Sequence, residues 1–179
     1  MRVSIDTYNS RVAEAALDAG ADLVNDIWGL KYDLDLAGVI ARKNAPCCLM
    51  HNRKEPDYTD FIADFLKDMQ ETIDIAKKAG IVDENIILDP GVGFGKTYEN
   101  NLEIINKLEC MHTLGYPILL GTSRKSVIGL TLDLPADQRM EGTVATTVIG
   151  VMKGVAFVRV HDVKENYRAL KMTEAILGR

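Results

Sequence analysis

Cysteine is scarce in this 179-residue chain. Only Cys47, Cys48 and Cys110 occur, with no CxxC spacing, so neither a disulfide framework nor a dithiol redox motif is present. Cys47 and Cys48 are adjacent inside an apolar run and read as packed thiols; such usage fits a reducing cytosol and predicts a cytoplasmic protein. Basic runs are missing too. Net charge is −5 with a pI near 5.2, and no stretch interleaves basic with aromatic residues, which argues against a nucleic-acid surface. No apolar run reaches membrane length and no charged-then-apolar leader opens the chain, so no membrane partner is expected. Low-complexity segments and linkers are lacking. With 47% hydrophobic residues the chain can bury a substantial core, and residues 1–179 are expected to form one domain.

What is present centres on Ile86–Lys96, IILDPGVGFGK. Ile86, Ile87 and Leu88 read as a strand buried on both faces, too short for a helix. Pro90 cannot continue a ladder, so the strand should stop at Asp89. Gly91, Gly93 and Gly95 then allow a sharp turn or a close approach to a ligand. A carboxylate at the lip of a sheet, above a bare backbone loop, suits a small-molecule site.

The same cadence runs along the chain. Strands are predicted at Val3–Ile5, Leu23–Val24, Pro46–Met50, Ile118–Leu120 and Phe157–Val160 besides the central one. Each is followed by a polar cluster. Helices are predicted from Asn9 or Ser10 to Gly20 (apolar face Val12, Ala15, Ala16, Ala19) and over Leu34–Lys43. Further helices are expected over Tyr58–Lys78, Glu99–His112, Gln138–Lys153 and Val163–Leu177. Buried strands alternating with amphipathic helices predict an α/β fold with a parallel sheet. The clusters then gather at the carboxyl ends of the strands, where α/β barrels and open α/β sheets place their sites. They are Asp6; Asn25 and Asp26; His51 and Asn52; Asp89; Ser123, Arg124 and Lys125; and Arg159, His161 and Asp162. Asp26, Asp162 and Asn52 read as orienting or capping residues. A carboxylate such as Asp89, with Asp6 and Asn25, suits the paired N–H groups of an aminopyrimidinone-like edge. Arg159 and His161, two apart on a strand, point to one side and suit phosphate or diphosphate. Lys125 lies between the two by strand order.

These residues carry a resemblance. SIDTY (4–8), NDIWG (25–29), LMHNR (49–53), ILDPGVGFGK (87–96), LGTSRKSVIG (120–129), EGT (141–143) and RVHDVKE (159–165) are together similar to dihydropteroate synthases, in that family's order and across the whole chain. The resemblance implies a TIM-type (β/α)8 barrel. It implies a transferase of folate biosynthesis that joins 6-hydroxymethyl-7,8-dihydropterin diphosphate to 4-aminobenzoate with release of diphosphate, and a sulfonamide target. Carried over, Asp6, Asn25 and Asp89 would hold the pterin edge. Ile27 and Met50 would line its ring, and Gly93 and Phe94 would sit in the loop beside it. Lys125 would meet the pterin and, with Ser126, the aminobenzoate. Arg159 and His161 would hold the diphosphate. Lys125, Arg159 and His161 are the residues expected to act in catalysis. The resemblance also implies a homodimer through the late helices, and Mg²⁺ that travels with the substrate diphosphate. Two βα units that open the family's barrel, with an NVTPDSFSDGG-like loop, find no counterpart here. The expectation is therefore strands three to eight of eight, with a non-catalytic pterin-binding fragment as the alternative to an enzyme.

Other chemistries are weaker fits. GVGFGKT (91–97) approaches the phosphate-binding GxxxxGK[ST] loop but has Pro90 where the first glycine belongs. Lys125 could serve as a Schiff-base lysine. His51 and His161 come from separate strands with no HxH or HExxH, so no protein-held metal is expected. A pterin-dependent methyltransferase would share the barrel, although SRK and RVHD fit diphosphate chemistry better.

Overall fold

The computed structural model describes residues 2–178. Six short strands run parallel in chain order: β1 (Ser4–Asp6), β2 (Leu23–Asp26), β3 (Cys47–Met50), β4 (Ile86–Asp89), β5 (Leu119–Leu120) and β6 (Phe157–Val158). The first four form one sheet and the last two another. A parallel bridge between Leu88 and Ile118 and the bond from Leu88 N–H to Pro117 O (2.9 Å) join them into a single arc. Helices α1 (Ser10–Asp18), α2 (Leu36–Lys43), α3 (Phe61–Lys78), α4 (Tyr98–Asn106), α5 (Ser126–Leu132), α6 (Met140–Met152) and α7 (Val163–Leu177) stand between and after the strands. This is six βα units of a TIM-type barrel.

Register fixes which residues face the barrel interior. Asp6 pairs with Asn25, Asn25 with Cys48, and Met50 with Asp89. Because side chains alternate across a strand, these point one way, while Val24, Asp26, Leu49 and Leu88 point to the helices. The outward set is buried among Phe65, Met69 and Ile73 of α3 and Leu36 and Ile40 of α2. β3 is buried on both faces, which is why it reads as an unbroken apolar run. Cys47 lies in this outward layer and Cys48 on the inward face, both fully buried. Burial pushes the Cys47 thiol up to about 12 and that of Cys48 well above its ordinary value.

Local signals set the helix ends. Asn9 caps α1 through bonds to the N–H groups of Arg11 and Val12, and Asp60 caps α3. Thr97 and Asn100 form a reciprocal capping box at α4. Three expectations need correction. The predicted face of α1 is turned outward: Val12 is 48% exposed, and Ala13 is the fully buried residue, because α1 docks on α2 through the Ala13–Leu17 side. The predicted helix over Glu99–His112 ends at Asn106 and tightens into a 3₁₀ segment, Leu108–Leu114, that Gly115 stops with φ 83°. Finally, α5 was not anticipated. Its SVIGLTL sequence holds β-branched residues and a glycine, so propensity does not announce a helix.

The α6–α7 contact holds a buried polar pair. Thr147 Oγ1 donates to Asn166 Oδ1 (2.7 Å), and Asn166 Nδ2 donates to the Asp162 carbonyl (2.8 Å). Asn166→Ala leaves the Thr147 hydroxyl without its acceptor, while the Asp162 carbonyl keeps the backbone N–H of residue 166 (3.2 Å). It is expected to lower unfolding free energy by about 1–2 kcal/mol in a denaturant titration.

Candidate functional site

At the carboxyl end of the arc lies a cavity of about 240 Å³. One wall is polar: Asn25, Asp89 and Lys125. A second carries Ser123, Arg159, Val160 and His161, while Ile27, Met50 and Phe94 supply apolar surface and Gly121 the floor. Among the residues anticipated from sequence, Asn25, Ile27, Met50, Asp89, Phe94, Lys125, Arg159 and His161 therefore come together. Asp6 sits at the rim, accepting from Asn25 Nδ2 (2.8 Å) and from Arg159 Nη2 (2.6 Å). Gly93 backs onto the Lys125 side chain: a Cβ there would lie 3.3 Å from Lys125 Cδ. Ser126 is placed elsewhere. It begins α5 and lines a separate hollow with Gly129, Leu134 and Arg139. Gly121 and Val160 were missed, since neither carries a group that a search for chemistry would single out.

Asp89 is buried, and burial raises its pKa against the opposing pull of Lys125 and the Gly91 N–H. Its Oδ1 accepts that N–H at 2.7 Å, and Oδ2 has no donor among the described residues. Lys125 is its counterpart. Burial lowers its pKa, Asp89 opposes the shift, and its ammonium donates to the Val92 carbonyl while lying 4.8 Å over the Phe94 ring. Two of its three protons remain for a ligand. On the other wall, Ser123 Oγ accepts the His161 backbone N–H (3.1 Å) and lies 2.8 Å from His161 Nδ1. A hydroxyl that accepts one bond can donate the other. With Nδ1 accepting from that hydroxyl, Nε2–H is left as a donor for a ligand.

The elbow that delivers Lys125 is built from strained backbone. Arg124 has φ 58°, a left-handed conformation that costs a side-chain-bearing residue about 1 kcal/mol. It is held from behind: its guanidinium pairs with both oxygens of Asp162 (2.6 and 3.2 Å), and Arg139 Nη1 donates to the carbonyls of Arg124 (3.0 Å) and Lys125 (3.3 Å). So Arg124 is turned away from the cavity, against the expectation that its cluster faces inward together, and Asp162 orients it. Asp162 makes no side-chain cap on α7. Asp26, pointing outward, accepts the N–H groups of Trp28 (2.8 Å) and Leu30 (2.6 Å) and shapes the loop carrying Ile27.

His51 is a further correction. It follows Met50 and so faces away from the cavity, buried against Phe65. Its Nε2 lies 3.1 Å from Asp68 Oδ2, and its Nδ1 lies 2.8 Å from Lys96 Nζ. Burial draws its pKa down to about 4, although the Asp68 hydrogen bond opposes this. The sign follows directly. Between pH 6.5 and about 4 the unfolded chain binds a proton at this residue and the folded chain does not. Stability is therefore expected to fall as pH drops through that window, by up to about 3 kcal/mol for this group. Denaturation midpoints from pH 7 to 4, compared with His51→Gln, check it.

Among the described residues no helix is long and apolar enough to cross a membrane. A larger apolar groove, about 430 Å³, lies outside the barrel between α4, α5 and α6 and carries no charged group.

The chain is similar to proteins of known family. The family profile described as pterin binding enzyme matches residues 1–161. The chain is 65% identical to a dihydropteroate synthase of Clostridium beijerinckii, over 99% of this chain and 66% of that protein. It is 52% identical to that of Bacillus subtilis, over 99% and 62%. It thus spans about two thirds or less of these relatives' length. A crystal structure of a Clostridium difficile dihydropteroate synthase in the presence of pteroic acid superposes with TM-score 0.98 at 48% identity, covering all of this chain and 68% of that one. A Yersinia pestis dihydropteroate synthase with a sulfonamide drug complex gives 0.95 at 36%, over 99% and 67%.

Proposed function

The chain belongs to the pterin-binding enzyme family, and on that footing we propose that its cavity carries out the dihydropteroate synthase reaction. 6-Hydroxymethyl-7,8-dihydropterin diphosphate and 4-aminobenzoate would be its substrates. The observation that supports this most is the opposition of two walls in one cavity. Asp89 and Asn25 offer an acceptor and an amide beside Lys125, and Arg159 and the Nε2–H of His161 face them.

In this reading the amine nitrogen attacks the pterin CH₂ carbon. The C–N bond forms as the C–O bond breaks, and diphosphate departs with the electron pair. Asp89 and Asn25, with Asp6 at the rim, orient the pterin edge. Ile27, Met50 and Phe94 hold its ring flat. Lys125 bridges pterin and aminobenzoate, where Ser126 stands beyond the elbow and where a sulfonamide would compete. Arg159 and His161 receive the charge growing on the leaving group. Orientation and preset charge suffice, with no covalent intermediate. A P-loop role for Gly91–Thr97 is disfavoured because Lys96 points beneath its own loop to His51. The described residues do not fit a protein-held Mg²⁺: no three His, Cys, Asp or Glu side chains are grouped to hold one. Asp6 is engaged by Arg159 and Asn25. Mg²⁺ would come with the diphosphate.

Calorimetry with the pterin diphosphate tests the reading. Saturable one-to-one binding is expected, and a folded sample giving none overturns it. Turnover with and without a supplied amino-terminal piece separates an enzyme from a pterin-binding fragment. We also propose a homodimer through the groove between α4, α5 and α6, where Leu102, Leu132 and Ile149 are exposed. A monomeric mass by light scattering would refute it.

A further inference from the structure

Lys96 is half-buried below the cavity and is not among its lining residues. Its Nζ donates to the Gly91 carbonyl (3.0 Å) and the Phe94 carbonyl (3.0 Å) and lies 2.8 Å from His51 Nδ1. An ammonium has three protons and no lone pair, so all three are used and Nδ1 must accept. The His51 proton then sits on Nε2 and is donated to Asp68, which Arg53 holds through Nε (2.6 Å) and Nη2 (3.2 Å). A chain of polar contacts thus runs from α3 to the middle of the glycine loop.

The loop folds round that ammonium. Gly91, Gly93 and Gly95 all have positive φ, and the segment has no ladder of its own. The carbonyls of residues 91 and 94 point down to Lys96, and that of Val92 points up to the Lys125 ammonium. The Phe94 ring lies against the same ammonium. Both Val92 O and the Phe94 face therefore reach Lys125 from a turn whose underside is held by one half-buried ammonium.

We propose that Lys96 is a positioning residue for Lys125: its ammonium, braced by His51, Asp68 and Arg53, sets the Gly91–Phe94 turn that fixes where the Lys125 ammonium stands in the cavity. This deepens the pterin reading, since Lys125 is the group placed between the two substrates. The groups facing Lys96 are His51 and Arg53 beyond β3, Asp68 on α3, Asp89 at the end of β4 and Lys125 before α5. Burial, the largest influence, draws Lys96 down to about 7, with Asp89 opposing. Its charge is thus lost as pH rises through neutrality, and with it the hold on the turn.

The test needs no ligand to begin. An amine-acylating reagent, followed by peptide mass spectrometry, reads the accessibility of Lys125 in the folded chain. Lys96→Met is expected to speed its labelling about tenfold, as a charge-assisted restraint is lost, and to weaken pterin diphosphate binding by a similar factor. Unchanged labelling in a folded variant overturns the proposal. Should the variant fail to fold, the native chain decides by NMR. The amides of Val92–Phe94 and the Lys125 side-chain signals are expected to shift with the midpoint of Lys96. If Lys96 titrates while those signals stay still, the proposal fails. Absence of pterin binding in the native chain would overturn the functional reading alone, because the labelling experiment stands without it.

Discussion

Asp89→Asn is expected to weaken pterin diphosphate binding about 100-fold while leaving the fold intact. The substituted amide can keep its oxygen on the Gly91 N–H, which now binds Oδ1 at 2.7 Å, so the loop retains its anchor. The cavity side changes sign. Where the carboxylate offers an unengaged oxygen, the amide offers N–H groups to a ligand edge that is itself a donor. A hydrogen bond to a charged group contributes about 1.5–3 kcal/mol, and an opposed donor pair removes it entirely. The effect on stability is expected to stay within about 1 kcal/mol. The carboxylate is buried, and losing it removes a desolvation cost that offsets the lost attraction to Lys125. Calorimetry and urea denaturation on one sample check both halves. Binding within threefold of native would remove Asp89 from the site.

The second large effect lies two residues along. Gly91→Ala is expected to cost about 4 kcal/mol or to prevent folding. A Cβ on Gly91 would sit 1.9 Å from the His51 carbonyl oxygen and 3.1 Å from its carbon, with φ at 66°. The obstacle is backbone and cannot swing aside, because the His51 N–H is itself tied to the Asp89 carbonyl (2.9 Å). Left-handed strain alone would cost about 1–2 kcal/mol, and displacing the turn adds the rest. Gly115→Ala is the internal comparison. It has φ 83° but open space around the position, so about 1 kcal/mol is expected there. Denaturant midpoints of the two variants separate strain from collision. Equal losses would show that the close approach of residue 91 to His51 is not the cause.

Much of this site could be read before any coordinates. Asp6, Asn25, Asp89 and Arg159 all follow short apolar runs, and parallel strands deliver whatever follows them to one end. Strand parity separates two of the expected residues: neighbours on a strand face opposite ways, so Met50 faces the cavity and His51 turns to α3. The elbow was illegible for a different reason. Nothing in GTSRKS announces a left-handed Arg124, and the groups that hold it, Arg139, Thr143 and Asp162, are distant in sequence. Ser126 lies outside the cavity for the same cause: the turn Thr122–Lys125, closed by the Lys125 N–H on the Thr122 carbonyl (3.1 Å), runs straight into α5. Propensity failed at α5, where tertiary packing of Val127 and Ile128 decides the conformation.

The Asp6–Arg159 pair joins the first strand to the last, 153 residues apart in sequence. The carboxylate occupies only Nη2 of Arg159, and Nε and Nη1 have no partner among the described residues. Under the proposed function, an incoming diphosphate would compete with Asp6 for Nη2, and Asp6 so released would be open to the pterin. Anion binding and pterin binding would then be coupled. Asp6→Asn should uncouple them: inorganic diphosphate binds more tightly, the pterin diphosphate less so, when both are titrated against the same preparation.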